Sequence, residues 1–288
     1  MRAIQNPKTP KPQNPRISFV IEIFNSLKFM ETTSPSNQQH VIKVEGHRGG
    51  RLDFENTLNA FRLAIENNLD SVEFDVWLTK DKIPIVIHGH EGEIGYDIPG
   101  YEEISKQTHI NDITYEQISK IVLPNGESVP TLEALIDLCK GKIVMNCEIK
   151  ETHKEVCQML IDLAASKNLD RNQIYFSSFN YDVLDHFSSI TSEYKLSYLY
   201  WIDGETKLPD DYTSKGDLIA ICHKTLTKEI ADTCHKNNIG LSIYFADVHP
   251  ESEEYYENIV KFGVDTIISD KPLEFMKYLD SLKSEETD

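Results

Sequence analysis

Four charged or titratable side chains in the first third of the chain are of the types that phosphate-ester chemistry uses. His47 and Arg48 follow an apolar run, and Glu73 and Asp75 stand two residues apart in a second run. Because successive side chains of a strand point to opposite faces, Glu73 and Asp75 are expected to share one face. Carboxylate oxygens suit the hard cations Mg²⁺ and Ca²⁺ better than zinc. The pattern therefore predicts a divalent-cation site beside an arginine.

Two later segments extend this set of side chains. The run at 83–88 ends in a histidine, His88, and the run at 144–150 places Glu148 and Lys150 on one face. An inward-facing carboxylate or amine is costly to bury unless it is paired or bound to a metal. We therefore expect the cation to be held by Glu73, Asp75 and Glu148, and a phosphate to be held by Arg48 and Lys150.

Histidine titrates near neutral pH, so His47 and His88 are expected to serve as general base and general acid on opposite sides of that phosphate. Each feature has an ordinary explanation when it is taken alone. A single strand histidine is more often a structural residue, and a Glu–Lys pair is more often a surface ion pair worth under about 1 kcal/mol. Their joint placement at the ends of strands favours a functional site.

The elements that must position these side chains alternate, from residue 41 onward, between short apolar β-branched runs and helical segments. This alternation predicts a parallel sheet covered by helices, and the length fits one α/β domain, a TIM (β/α)8 barrel. Nine strand candidates compete for eight places, and we expect 218–222 to be the irregular one: 41–46, 71–77, 83–88, 143–149, 174–178, 195–201, 218–222, 239–245 and 264–269.

Residues 89–130 interrupt the alternation with several glycines and predict an insertion after the third strand, over the face where barrel active sites lie. The domain is expected to span 41–280. Residues 1–40 predict an N-terminal arm with a short amphipathic helix at 17–30. That helix either packs against the domain or makes peripheral contact with a membrane surface.

Composition excludes some partners. The chain has 288 residues and a formal net charge of −18, which argues against nucleic acid or an anionic membrane as a general partner. The five cysteines are scattered, without a Cys-x-x-Cys pair, which predicts free thiols in a reducing compartment and hence a cytoplasmic location.

Taken in order, the motifs resemble the glycerophosphodiester phosphodiesterase family over nearly all of residues 41–276. The segments that carry the resemblance are His47-Arg48-Gly49, Glu55-Asn56-Thr57, Glu73-Phe74-Asp75-Val76, Pro84-Ile85-Val86-Ile87-His88, Pro130-Thr131-Leu132-Glu133, Asn146-Cys147-Glu148-Ile149-Lys150, Ser177-Ser178-Phe179-Asn180 and Ser269-Asp270-Lys271-Pro272.

This resemblance implies a TIM-barrel enzyme that hydrolyses phosphodiesters of glycerol, such as glycerophosphocholine, to glycerol 3-phosphate and an alcohol. In the family a neighbouring glycerol hydroxyl attacks phosphorus, and water then opens the cyclic phosphate. The family roles fall here on His47 and His88 as the acid–base pair, on Glu73, Asp75 and Glu148 as Mg²⁺ or Ca²⁺ ligands, on Arg48 and Lys150 as phosphate contacts, and on Glu55 as a supporting residue.

Two segments depart from the family pattern. The chain has His88-Gly89-His90 where the family commonly has His-Asp, so His90 is a second candidate for the catalytic histidine, although strand register favours His88. Residues 242–247 replace a Trp-Thr-x-Asn motif, and Tyr244 or Phe245 is expected to supply an aromatic wall instead. The alcohol-binding end of the pocket is therefore expected to be altered.

Three alternatives remain open from the sequence. The same machinery would act as a lysophospholipase D if the pocket accepts an acyl chain, with the helix at 17–30 at a membrane surface. The pair His88-x-His90 resembles the metal pair of amidohydrolases. A barrel that binds a phosphodiester without hydrolysing it is the third alternative.

Overall fold

The computed structural model describes residues 41–201 and 207–285; the arm and helix predicted at 1–40 lie outside these residues. Within the described part, nine strands form one sheet. They are β1 (Lys43–Gly46), β2 (Ser71–Leu78), β3 (Pro84–Val86), β4 (Val144–Ile149), β5 (Ile174–Ser178), β6 (Lys195–Tyr200), β7 (Leu218–Cys222), β8 (Gly240–Tyr244) and β9 (Thr266–Ser269).

Eight of these strands are parallel and close into a barrel. Their order is β1-β9-β8-β7-β6-β5-β4-β2, and β1 also pairs with β2, which joins the two ends of the sheet. The predicted TIM barrel is therefore confirmed. Because the strands run parallel, their carboxyl ends meet at one face of the barrel.

The expectation that 218–222 is the irregular strand is wrong. Leu218–Cys222 is β7, a barrel strand that pairs in parallel with β6 and β8. The strand outside the barrel is β3, which pairs antiparallel with β2. Only residues 79–83 separate these two strands, whereas a parallel crossover needs about a dozen residues or more, so the chain has to turn back as a hairpin.

Helices cover the outside of the barrel and enclose the main core between themselves and the sheet. The helix that follows β1 begins at Leu58, and Thr57 is its N-cap. The Thr57 hydroxyl accepts a hydrogen bond from the Ala60 amide at 3.3 Å. The α-helices are α1 (Leu58–Glu66), α2 (Tyr115–Ile118), α3 (Leu132–Cys139), α4 (Glu155–Ser166), α5 (Tyr181–Ile190), α6 (Lys228–Lys236), α7 (Tyr256–Lys261) and α8 (Pro272–Glu285).

The predicted insertion between β3 and α3 has a small hydrophobic core of its own. Ile110, Ile113 and Ile118 are fully or almost fully buried in it, and it rests on Trp77 of β2 and Ile85 of β3. The insertion is thus anchored on the strand that carries Glu73 and Asp75. No helix in the described ranges combines the length and apolar character needed to cross a bilayer.

Candidate active site

Three carboxylates meet at the carboxyl end of two neighbouring strands. Glu73 and Asp75 lie on β2, and Glu148 lies on β4 directly across from Asp75 in the strand pairing. All three are buried, and one oxygen from each lies within 4.8 Å of the others. The three ligands expected from the sequence are therefore brought together.

The electrostatics of this group fit a bound cation. Burial raises the pKa of Glu73 well above its ordinary value, and the neighbouring charges of Asp75 and Glu148 raise it further. The Glu73 Oε1 atom is buried and accepts no hydrogen bond from any described residue. A buried oxygen without a hydrogen-bond partner, in a group of three carboxylates, is costly unless a cation binds it, so these residues could hold a hard divalent ion.

Two cations flank the carboxylates, and each contacts them from a different strand end. Lys150 Nζ lies 2.7 Å from Glu148 Oε1 and 3.3 Å from Asp75 Oδ1. Arg48 Nε lies 3.4 Å from Asp75 Oδ2, while its Nη1 donates to both oxygens of Glu55 at 3.1 and 3.0 Å. Burial alone would raise the pKa of Asp75, but the charges of Lys150 and Arg48 hold it below its ordinary value. Asp75 is therefore ionised at neutral pH.

His47 is held by a tight turn after β1. Arg48 has φ 50° and Gly49 has φ 88°, and a Cβ on Gly49 would lie 2.8 Å from the Ala60 Cβ, so glycine is required there. The Arg48 amide donates to Glu73 Oε2 at 2.9 Å, which fixes the turn against the carboxylates. His47 Nε2 lies 3.9 Å from that same oxygen.

The second histidine reaches the site through the β2–β3 hairpin. The Ile87 amide donates to the Asp75 carbonyl at 3.1 Å, so the antiparallel return brings His88 back to the level of Asp75. Burial lowers the pKa of His88 to about 4, although the Asp75 carboxylate opposes this shift. His90, the alternative, is exposed in the loop that follows. The geometry thus places His88, and not His90, beside the carboxylates.

Two polar residues of the site were not assigned from the sequence. Asp270, just after β9, accepts a hydrogen bond from His47 Nδ1 at 2.7 Å, and Asn56 Nδ2 donates to Asp75 Oδ2 at 2.8 Å. Both lie in segments that carry the family resemblance. The position of Asp270 at the carboxyl end of the last barrel strand is the signal that would have revealed it.

Across the barrel mouth, three aromatic rings form what we call the aromatic wall: Phe179, Trp201 and Tyr244. Trp201 and Tyr244 are stacked with centroids 6.5 Å apart, and Phe179 meets both edge-on. Trp201 is 58% exposed, and Lys150 Nζ lies 5.9 Å from the Phe179 ring. The wall thus includes Tyr244 as expected, whereas Phe245, the other candidate, packs against His223.

A cavity of about 220 Å³ borders the candidate site at Glu55, Asn56 and His88 and is also lined by residues of the insertion. Its polar lining includes Glu55, Asn56, His88 and His90, and its apolar lining includes Phe54 and Tyr96. The candidate site therefore has a small pocket at one end and an open aromatic surface at the other.

The amidohydrolase alternative receives no support from this geometry. Within the described residues, Glu73, Asp75 and Glu148 form the one group of three or more His, Cys, Asp or Glu side chains placed to share an ion. His88 and His90 are not members of such a group.

Comparison with known proteins identifies the chain's family. The model of the glycerophosphoryl diester phosphodiesterase family matches residues 47–274, which include every site residue predicted from the sequence. The chain belongs to this family. The predicted membership and the predicted enzyme class, a phosphoric diester hydrolase, are thereby confirmed.

Individual relatives agree with this assignment. A glycerophosphodiester phosphodiesterase from Caldanaerobacter subterraneus subsp. tengcongensis is 27% identical over 241 residues, which cover 80% of this chain and 94% of that protein. The crystal structure of glycerophosphodiester phosphodiesterase from Thermotoga maritima superposes with a TM-score of 0.64 and 25% identity, covering 84% of this chain and all of that one. An Oleispira antarctica phosphodiesterase, solved with the product sn-glycerol-3-phosphate, shares the fold at a TM-score of 0.69 and 19% identity, covering 83% and 96% of the two chains.

Proposed function

We propose that this protein hydrolyses glycerophosphodiesters in a reaction that depends on a divalent cation and on proton transfer by His47 and His88. The observation that carries the proposal is the group of three buried carboxylates, one of them with an unsatisfied oxygen, between Arg48 and Lys150. Glycerol 3-phosphate as the product is supported by the related phosphodiesterase that was solved with it.

Glu73, Asp75 and Glu148 would hold the cation, and Mg²⁺ and Ca²⁺ both suit these oxygen ligands. When bound, such an ion polarises phosphoryl oxygens and lowers the pKa of a coordinated hydroxyl or water. Arg48 and Lys150 supply the remaining positive charge for the phosphate. Glu55 fixes the orientation of the Arg48 side chain, because both of its carboxylate oxygens accept a hydrogen bond from Arg48 Nη1.

The two histidines differ in ways that suggest their roles. His88, whose pKa burial lowers to about 4, is neutral at pH 7 and can accept a proton from the glycerol hydroxyl that attacks phosphorus. His47 Nδ1–H donates a hydrogen bond to Asp270, so Nε2 is the nitrogen left to give a proton to the leaving alcohol. In the second step His47 Nε2 takes a proton from the water that opens the cyclic phosphate, and His88 returns its proton to the released glycerol hydroxyl, which gives glycerol 3-phosphate. A carboxylate on Nδ1 stabilises the positive charge of an imidazolium, which suits a general acid.

We assign the two ends of the site to the two halves of the substrate. The glycerol half, which all substrates share, fits the small cavity beside His88. The alcohol, which varies, lies against the aromatic wall, where the exposed Trp201 and Phe179 accept groups of different shape.

Lysophospholipase D activity is the second candidate, because the exposed rings of Trp201 and Phe179 would also pack against an acyl chain. Membrane contact through 17–30 and a cytoplasmic location remain predictions.

The test is to incubate the purified protein with glycerophosphocholine, glycerophosphoethanolamine, glycerophosphoinositol and lysophosphatidylcholine, each with Mg²⁺, Ca²⁺ or EDTA. The proposal expects glycerol 3-phosphate from the first three substrates and no product in EDTA. Lysophosphatidate as the main product would favour the second candidate. Turnover that persists in EDTA after removal of tightly bound metal would contradict the proposed metal dependence, and binding without any product would indicate a non-catalytic barrel.

Trp201→Ala tests the assignment of the two ends. It is expected to change kcat/KM by about 5- to 10-fold, by different factors for the three alcohols, because aromatic contacts of this kind contribute about 1 kcal/mol. Ile190→Ala removes another exposed apolar side chain, on α5, and is the control expected to have no effect. The assignment is wrong if Trp201→Ala reduces kcat/KM equally for all three substrates.

A further inference from the structure

Glu251 is a buried carboxylate in the loop between β8 and α7. It belongs neither to the proposed metal ligands nor to the proposed phosphate contacts, so its burial needs a separate explanation. It is 4% exposed and lies outside the three-carboxylate group. A buried charge of this kind is costly unless its oxygens are fully hydrogen-bonded. What those oxygens bind therefore indicates what the residue does.

Glu251 binds the turn that follows the last barrel strand. Its Oε2 accepts hydrogen bonds from the backbone amides of Asp270 at 2.7 Å and of Lys271 at 3.0 Å. Ser269 Oγ lies 2.8 and 2.9 Å from the two oxygens, and Tyr256 donates to Oε1 at 2.6 Å. A single side chain thus fixes the backbone on which the Asp270 side chain stands.

Asp270 in turn fixes His47. Its Oδ1 lies 2.7 Å from His47 Nδ1 and 2.9 Å from Arg51 Nε. Burial would raise the pKa of Asp270, but its hydrogen bond with His47 and the nearby positive charges hold that pKa below its ordinary value. An ionised carboxylate only accepts hydrogen bonds, so His47 carries its proton on Nδ1 and presents Nε2 to the site.

We propose that Glu251 is a positioning residue for catalysis: by holding the Asp270 backbone it sets the tautomer and orientation of His47. This inference rests on the proposed catalytic function of His47. Glu251 hydrogen-bonds neither to His47 nor to the three carboxylates, and it acts through Asp270.

Three variants separate positioning from general stability. Glu251→Leu removes every hydrogen bond and is expected to lower kcat at least about tenfold with little change in KM, because Arg48, Lys150 and the carboxylates are untouched. Glu251→Gln is expected to retain activity, since its amide oxygen can accept from both backbone amides while its NH₂ donates to the two hydroxyls. Tyr256→Phe, the matched control, removes a bond to the same carboxylate but none that holds Asp270, and is expected to keep kcat.

A double-mutant cycle tests the route through Asp270. Glu251→Leu is expected to cost no further kcat when Asp270 is already alanine. The inference is wrong if Glu251→Leu lowers kcat by the same factor in both backgrounds, or if folded Glu251→Leu protein has wild-type kcat.

A readout that needs no turnover keeps this test separate from the proposed function. In protein with ¹⁵N-labelled histidine, NMR is expected to show the Nδ1–H tautomer of His47 in the wild type and in Glu251→Gln, and its loss in Glu251→Leu. If the wild type hydrolyses no glycerophosphodiester, the proposed function fails while this measurement still decides whether Glu251 orients His47. Retention of the tautomer in Glu251→Leu would overturn the inference.

Discussion

His88 and His90 stand two residues apart, yet their surroundings differ enough to predict different effects of mutation. His88 is half-buried beside Asp75, whereas His90 is exposed in the following loop. His88→Ala is expected to lower kcat about 10²-fold or more, as loss of a general acid–base group does. His90→Ala removes the other candidate, which lines the same cavity, and is expected to change KM more than kcat, with kcat changing less than about threefold. Steady-state kinetics with glycerophosphocholine checks both, and the assignment to His88 fails if only the His90 variant is inactive.

The shared placement of the carboxylates and of Lys150 could be predicted from the sequence, because side chains two residues apart on a strand point to the same face. Glu73 and Asp75, and likewise Glu148 and Lys150, must share a face once their segments are strands. The partners of His47 could not be predicted in this way. Asp270 is more than 200 residues distant in the sequence, and Glu251 acts on a backbone amide that no side-chain pattern reveals.

At the scale of elements, the barrel could be predicted because apolar runs alternate with helices, but the strand outside it was misassigned. An apolar run such as Leu218–Cys222 does not show whether it is an inner or an edge strand. The connection length does show this, because residues 79–83 are too few for a crossover and force a hairpin. The hairpin also shapes the candidate site, since it returns His88 to the level of Asp75.

The insertion at 89–130 is expected to open independently of the barrel because its hydrophobic core is separate from the main one. Ile110→Ala, at a fully buried position, should destabilise the insertion by about 2–5 kcal/mol. Hydrogen exchange is expected to accelerate within 89–130 and to stay unchanged in β5 to β7.

Leu184→Ala is the matched control for this variant. Leu184 is equally buried, but it lies on α5 in the main core, so its truncation should accelerate exchange throughout the barrel. If Ile110→Ala accelerates exchange in β5 to β7 as much as Leu184→Ala does, the insertion and the barrel unfold as one unit, contrary to this expectation.

At the scale of the whole molecule, the group of buried carboxylates Glu73, Asp75 and Glu148, which we propose to bind the cation, destabilises the metal-free fold. Burial and like charges raise the pKa of Glu73, so its contribution to folding is most favourable at low pH and is lost as pH rises through the raised value. At neutral pH the metal-free fold therefore bears a cost that the unfolded chain does not, because the buried Glu73 must either keep its proton or ionise beside like charges. A bound cation is expected to reverse that cost.

Glu73→Gln tests this balance, because it removes the titrating carboxyl group while nearly preserving the shape of the side chain. In EDTA at neutral pH the variant is expected to be more stable than the wild type by about 1 kcal/mol, which is about 2–4 °C in Tm for a domain of this size. The difference should vanish below about pH 3, where the carboxyl group is protonated in both the folded and unfolded states. Saturating Mg²⁺ or Ca²⁺ should raise the wild-type Tm and raise that of the variant less, because at the same concentration a more tightly bound ligand stabilises the folded state more. Glu102→Gln removes an equal charge from the exposed surface and should leave Tm unchanged in both conditions. Calorimetry measures all three proteins, and a metal-free Glu73→Gln protein less stable than the wild type would show that the three carboxylates are not under electrostatic strain.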